Sequence, residues 1–254
     1  MSTEALIFSS ILVVIPIFIS YKDKLNIGKD IIVSVARAII QLIIVGYLLN
    51  FIFGLENPIY TIMLILVMIF IAALNTKKKG DSIENQIVIS FVSILIGTSI
   101  TMTILILSNA IKFKASDVIP VAGMIISNSM VAIILSYRNL NTSFKERKEA
   151  VEVKLSLGAD IKEASRDIIR ESIKLSIMPT IDSAKTLGIV SLPGMMTGLI
   201  LGGTSPIVAV KFQIMVTFMI LSSASISTMI STYLTYKTFF NKRKQLKDSS
   251  KYIL

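Results

Sequence analysis

Seven stretches of mostly apolar residues, at about 5–21, 31–53, 58–74, 87–107, 118–137, 186–203 and 207–235, dominate this chain. Crossing the hydrocarbon core of a bilayer takes about 20 such residues in a helix, and in lipid every backbone N–H and C=O must find its partner within the segment. Runs of that length, repeated that often, leave one class of fold open. The expectation is an all-α, polytopic helical membrane protein with about seven transmembrane helices, forming a single domain over residues 1–254. A composition 53% hydrophobic and 17% charged, with a mean hydropathy of +0.76, is too apolar for a domain dissolved in water. Membrane lipid is the surrounding partner that this implies.

The formal net charge is +10, but the basic residues lie in the links between apolar stretches rather than in a patch interleaved with aromatics. Nucleic acid is therefore not an expected partner. Loops 21–30 and 75–86 hold three Lys each, the long loop 138–175 holds nine Lys and Arg, and the tail after 236 holds six. Loop 53–58 holds none and 108–117 holds two. Cytoplasmic loops are the ones enriched in Lys and Arg, so the alternation predicts an N-terminus outside, a C-terminus in the cytoplasm and a multi-pass protein of the inner (plasma) membrane. The opening "MSTEALIF" is acidic and lacks a basic region ahead of the apolar run, which reads as a retained span rather than a cleaved signal.

The chain has no Cys and no His. Disulfides, thiolate sites, imidazole triads and HExxH zinc sites are thereby excluded from this chain alone. It also has no GxxxxGK[ST], so it cannot cradle nucleotide phosphates in a P-loop. No catalytic residue, and no cofactor within the chain, is expected.

The one sizeable link is residues 141–179, "NTSFKERKEAVEVKLSLGADIKEASRDIIRESIKLSIMP". It predicts two helices, one from about Ser143 to Leu157 and one from Asp160 to Pro179, with Gly158 supplying the left-handed residue that ends the first. Asp160 and Glu163 have the spacing of a capping box, and Ile161, Ala164, Ile168 and Leu175 form an apolar stripe. Such a hairpin either lies on the membrane surface or serves as a docking element that a soluble partner grips. In the second case the turn residues Glu152, Leu155, Leu157, Gly158, Ala159 and Asp160 are the coupling contacts.

The order Glu152, Val153, Lys154, three residues, Gly158, then Ile168 resembles the EAA-type coupling loop of ABC permeases, although Arg170 and Glu171 stand where that loop usually has Leu-Pro. The stretch "KLSLGADIKEASRDIIRESIKLSIMPTIDSAKTLGIVSLPGMMTGLILGGTSP", continuing to residue 240, is similar to the FetB-like family of ABC permeases, and so is "RAIIQLIIVGYLLNFIF" at 37–53. That family includes bacterial iron exporters and plant aluminium-tolerance relatives. The resemblance spans roughly residues 30 to 245. It implies a permease that works as a homodimer with two copies of a separate ABC ATP-binding subunit, where ATP and Mg would be bound, and that exports iron or another metal. A different solute such as a nucleotide sugar, and an ATP-independent carrier, remain the alternatives.

"SLPGMMTGLILGGTSP", residues 191–206, concentrates residues that weaken helices in water. In lipid, small residues at four-residue spacing let helices approach closely, which makes Gly194, Gly198 and Gly202 a candidate packing groove. Pro193 suits the first turn of a short helix, so the sixth span is expected to be interrupted, as spans that build transporter sites are. The candidate solute pathway comprises Arg37 and Gln41, four apart on one face of the second span, with Asn128, Pro193, Met195 and Met196. Ordinary roles compete for each: Arg37 can snorkel to the interface, Asn128 can bond to a neighbouring helix, and the methionines can fill the core. Asp182 and Lys185 are spaced to pair with each other. As metal ligands Met195 and Met196, with Met124 and Met130, would favour soft ions over Fe(II).

Overall fold

The computed structural model describes residues 4, 8–55, 57–77 and 83–247. Parts of the first expected span, of loop 75–86 and of the C-terminal tail lie outside them. The described residues are helical apart from short links and two isolated bridges, Leu187 to Ser191 and Phe240 to Leu246. They form two compact units, residues 1–56 and 57–254.

In the first unit α1 (Ile11–Lys22) leads into α2 (Gly28–Leu55). Lys24 and Asn26 turn the chain with positive φ, and the N–H of Ile27 donates to Ser20 Oγ at 3.2 Å. α1 has 12 residues, about 18 Å of helix. Arg37 and Gln41 are both exposed on α2.

The second unit is a bundle of α3 (Pro58–Lys77), α4 (Gln86–Leu107), α5 (Ala115–Glu146), α6 (Lys148–Ser156), α7 (Ile161–Ala164), α8 (Arg166–Thr186), α9 (Gly194–Leu201) and α10 (Pro206–Thr235), closed by a 3-10 turn at Tyr236–Phe239. α5 and α10 pack on each other at its centre; α3 and α4 cover one side and α8 the other. α2, α3, α4, α5 and α10 are long and apolar enough to cross a membrane. The polytopic all-α architecture holds, with five such helices and the shorter α1 among the described residues rather than the expected seven.

Helix contacts in lipid gain little from excluding apolar surface, so close packing and hydrogen bonds between helices must do more. Both are visible. Thr76 Oγ1 and Ser90 Oγ lie 2.8 Å apart, Ser90 Oγ and the Tyr137 hydroxyl 2.9 Å, and Ser136 Oγ and Thr232 Oγ1 2.6 Å, joining α3 to α4 to α5 and α5 to α10. Gln86 Nε2 donates to the Thr76 carbonyl at 2.8 Å. At Gly97 of α4 a Cβ would sit 2.1 Å from Ser227 Oγ and 3.3 Å from the Ser223 carbonyl of α10, so the two backbones meet there.

That close approach was expected at Gly194, Gly198 and Gly202, and within the chain they do not make it. A Cβ on Gly194 or Gly198 would meet nothing within 4 Å, and on Gly202 only carbonyls of its own helix. The glycines instead end α9. Gly203 takes φ +91, the N–H of Gly203 bonds to the Ile200 carbonyl and that of Thr204 to the Leu199 carbonyl, a Schellman closure.

The sixth stretch, over 186–203, is interrupted, as its proline and glycines led us to expect. α8 stops at Thr186, residues 187–193 form a tight link, and α9 starts after Pro193 with only eight residues, about 12 Å long. Pro193 occupies the cap position with extended backbone, one place before the expected first turn. The hairpin also differs from expectation. α5 continues through Ser143 to Glu146, and the first hairpin helix begins only at Lys148. The second is broken at Ser165 into α7 and α8, and α8 runs through Pro179 instead of ending there. An interior proline removes one N–H from the ladder, which neighbouring polar groups in a membrane bundle can offset.

Candidate functional site

Two cavities gather the functional candidates. The first lies at the hairpin. α6 ends in a Schellman closure: the N–H of Gly158 bonds to the Leu155 carbonyl and that of Ala159 to the Lys154 carbonyl, with Gly158 at φ +91. This turn leaves Leu157 82% exposed, a lone apolar side chain at the tip. Glu152, Leu155, Gly158, Ala159 and Asp160 line one side of a cleft of about 740 Å3, and Arg243 to Leu246 of the C-terminal tail line the other. Every expected coupling residue except Leu157 therefore lines this cleft, and Leu157 projects beside it.

The turn is held to the bundle from several directions. Phe144 at the end of α5 stacks on Phe239 with centroids 4.4 Å apart and meets Phe240 edge-on at 5.8 Å. Arg147 pairs with Glu171, and Lys154 Nζ lies 3.0 Å from Asp167 Oδ2, tying α6 to α8. Lys244 Nζ of the tail reaches Asp160 Oδ1 at 3.2 Å. The hydrogen bond from Lys244 holds the Asp160 carboxyl below its ordinary pKa, aided by the backbone N–H of Ile161; the Lys154 ammonium does the same for Asp167. The expected capping box does not form: Asp160 occupies the N-cap position without a side-chain cap hydrogen bond, and Glu163 turns to Arg166 at 3.2 Å.

The second cavity, about 310 Å3, opens among α5, α8 and α10 and is closed at one side by the link before α9. Asn128 and Pro193 line it, together with Ser176, Thr180, Gln213 and Thr217. Asn128 bonds within its own helix, Nδ2 donating to the Met124 carbonyl at 2.8 Å, rather than across to a neighbour. Ser127 beside it is exposed. Met195, Met124 and Met130 pack against the apolar core, and neither Met195 nor Met196 lines the cavity. Arg37 and Gln41 belong to the first unit. Lys185 Nζ and Asp182 Oδ1 pair at 2.9 Å as their spacing suggests. Among the described residues no three His, Cys, Asp or Glu side chains cluster to hold a metal.

Sequence reasoning missed Gln213 and Thr217. Their signal was present, two polar residues four apart in the apolar run "VKFQIMVTFMI", the same pattern that drew attention to Arg37 and Gln41. Ser176 and Thr180 were hidden by the charged character of their segment, which reads as surface.

Known proteins match this chain along nearly its whole length. Residues 3–240 fit the model of an uncharacterised protein family, UPF0014. The chain is 50% identical over 245 residues to a protein of Escherichia coli (strain K12) named "Probable iron export permease protein FetB", covering 96% of this chain and 95% of that one. It is 38% identical over 245 residues to the UPF0014 membrane protein YjkA of Bacillus subtilis (strain 168), covering 96% and 98%. It is 36% identical over 236 residues to the protein ALUMINUM SENSITIVE 3 of Arabidopsis thaliana, covering 93% and 86%. No solved structure matches. With apolar crossing helices, a broken span and end-to-end similarity of this kind, the chain belongs to the UPF0014 family of membrane proteins.

Proposed function

We propose that this chain is the permease subunit of an ABC exporter, moving iron or another metal ion out of the cell with ATP hydrolysed by a separate cassette subunit. The observation that carries the reading is the hairpin turn: a rigid Schellman closure that presents Leu157 beside a cleft walled by the residues expected to couple. A knob fixed by backbone hydrogen bonds and braced to α8 can pass a partner's movement into the bundle. A loose surface loop cannot. The name of the Escherichia coli relative supports both the permease reading and iron as cargo. Two permease chains per transporter, and a site in the inner membrane, complete the proposal.

The Lys- and Arg-rich links support a cytoplasmic hairpin. Lys247 Nζ lies 2.8 Å from Glu84 Oε1 and Lys244 reaches Asp160, so the link before α4, the hairpin turn and the tail share one end of the bundle. That end is the basic one, and the positive-inside rule assigns it to the cytoplasm.

The test is reconstitution of the purified chain with its cassette subunit in proteoliposomes. ATP-dependent iron movement is expected, and Leu157→Glu should abolish cassette binding and flux while the helical spectrum and melting profile stay unchanged. Gly158→Val should act the same way, since a β-branched residue at φ +91 forces the turn open. Iron movement of equal rate without the cassette subunit would establish an ATP-independent carrier instead.

A further inference from the structure

The outer surface of the second unit has two sides of opposite character. On α3 every exposed residue from Ile62 to Leu74 is apolar, as a surface against lipid chains must be. α8 differs. Its 21 residues include seven charged ones, and four of its exposed side chains, Leu175, Met178, Asp182 and Lys185, follow one another at intervals of three, four and three. That spacing sets them in one seam along the helix, as in helices that interlock with a second helix. Asp182 and Lys185 pair with each other, yet their side chains stay 58% and 62% exposed.

This pair lies at membrane depth. α8 starts beside the hairpin, where Asp167 meets Lys154, and Asp182 and Lys185 are about 24 Å and 28 Å further along it. Thr180, Ser183 and Leu187 share a cavity wall with Asn128, Val131 and Leu135, which belong to the apolar part of a helix long enough to cross the membrane. Charged side chains at that depth face protein or a water-filled space, so acyl chains do not cover this seam. A cytoplasmic subunit cannot reach it either. The chain beyond α8 is open in the same way: Ile189 and Val190 are 89% and 79% exposed, and the bare faces of Gly194 and Gly198 leave room for another backbone.

We infer that this seam is the face on which two copies of the chain meet, the two α8 helices side by side and Asp182 of each copy set between its own Lys185 and the partner's Lys185. The inference rests on the two-chain reading proposed above and specifies the face. A second copy fits because the seam complements itself. Contact about a two-fold axis places the same patch on both sides, and a patch holding one anion and one cation offers each charge an opposite one on its twin. Both copies share one orientation in the membrane, so the helices run parallel, and Leu175 and Met178 meet their counterparts in successive layers. Two carboxylates and two ammonium groups then form a neutral cluster, in which every charge has partners when water is removed.

The chain has no cysteine, so in purified proteoliposomes an introduced thiol can form a disulfide only with its counterpart in another copy. Leu175→Cys and Met178→Cys should give a covalent dimer under mild oxidation, whereas Met63→Cys on the apolar side of α3 should stay monomeric. Charge then identifies the contact. Chains with Asp182→Lys and chains with Lys185→Asp, differently tagged and produced together, should form mixed dimers about tenfold in excess of either like dimer, because a like dimer gathers four charges of one sign. Pairing confined to one chain predicts no such preference. Mixed and like dimers in the statistical ratio, or a thiol at 63 that crosslinks as fast as one at 178, would overturn the face and leave two chains per transporter. A disulfide within one chain between Gln41→Cys and Met178→Cys, formed in place of the dimer, would overturn it by giving the seam to α2. No dimer by crosslinking or by mass in nanodiscs would refute the two-chain reading as well. Neither measurement uses nucleotide, so a dimer through α8 in a transporter indifferent to ATP would refute the ABC reading and leave this face standing.

Discussion

At position 97 a hydrogen atom is all the side chain that α10 leaves room for. Ser227 Oγ can rotate away from an added methyl, but its Cβ at 3.4 Å and the Ser223 carbonyl at 3.3 Å are fixed by the helix. Gly97→Ala should therefore cost about 1 kcal/mol and Gly97→Val about 2–3 kcal/mol, the range of overpacked interiors. Thermal unfolding in a single detergent measures both. Ser227→Gly removes the clashing hydroxymethyl group, so combined with Gly97→Ala it should recover most of the loss; additive losses would mean that the two residues do not meet. The contact explains why α10 carries Ser223, Ser227 and Ser231 at four-residue spacing, all fully buried. Small hydroxyl residues let α4 and α5 come close, and their oxygens can return bonds to their own helix, as Ser223 does to Ile220 and Ser231 to Thr228.

Among the elements, the hairpin separates what sequence shows from what it hides. Gly158 marked the turn correctly because a left-handed residue after an amphipathic run has few other uses, and Pro193 marked the start of a short helix for the same local reason. The boundary at Ser143 was not visible. α5 is apolar only to about Tyr137, yet its helix runs on to Glu146 because Phe144 is drawn into the aromatic cluster with Phe239 and Phe240, a contact nearly a hundred residues away in sequence. The glycine groove meets no helix of its own chain among the described residues, since spacing announces that a close approach is possible without naming the partner. Likewise, Asn128 and Pro193 were found singly, while the cavity that unites them with Gln213 depends on how three helices pack.

Tertiary contacts also recruit the tail, which joins the hairpin through Lys244 and Asp160. Both are largely exposed, so this clasp orders the segment more than it stabilises the bundle. The folded pKa of Asp160 lies below the unfolded one, so the clasp contributes fully above the ordinary carboxylate range and is lost as pH falls through the folded value. Limited proteolysis should cut near residues 241–247 faster in Asp160→Asn than in wild type at pH 7, and only acidification well below the ordinary carboxylate pKa of about 3.9 should bring the wild type to the rate of the variant. A variant cut no faster at pH 7 would show that the tail is held by Lys247 and the Phe240–Leu246 bridge alone.

For the molecule as a whole, the consequence of the charge pattern is a direction. α5 has 32 residues, about 48 Å of helix against a hydrocarbon core of about 30 Å, so it must leave the membrane, and its excess carries Arg138 and Lys145 towards the hairpin. Ion pairs bring the links around Glu84, Asp160 and Lys247 to that same end, whereas the link at residues 108–114, between the antiparallel α4 and α5, lies at the other. The absence of cysteine from the chain makes the direction directly measurable, because any introduced thiol is the only one. With a membrane-impermeant maleimide, Lys112→Cys should react in intact cells, whereas Leu157→Cys and Arg243→Cys should react only in inside-out vesicles. The reverse pattern would invert the protein and remove the hairpin from the reach of any cytoplasmic ATPase. Labelling of 157 and 243 from opposite sides would contradict the packing of the tail on the hairpin, so one set of three single-cysteine variants tests both the orientation of the chain and the clasp at its basic end.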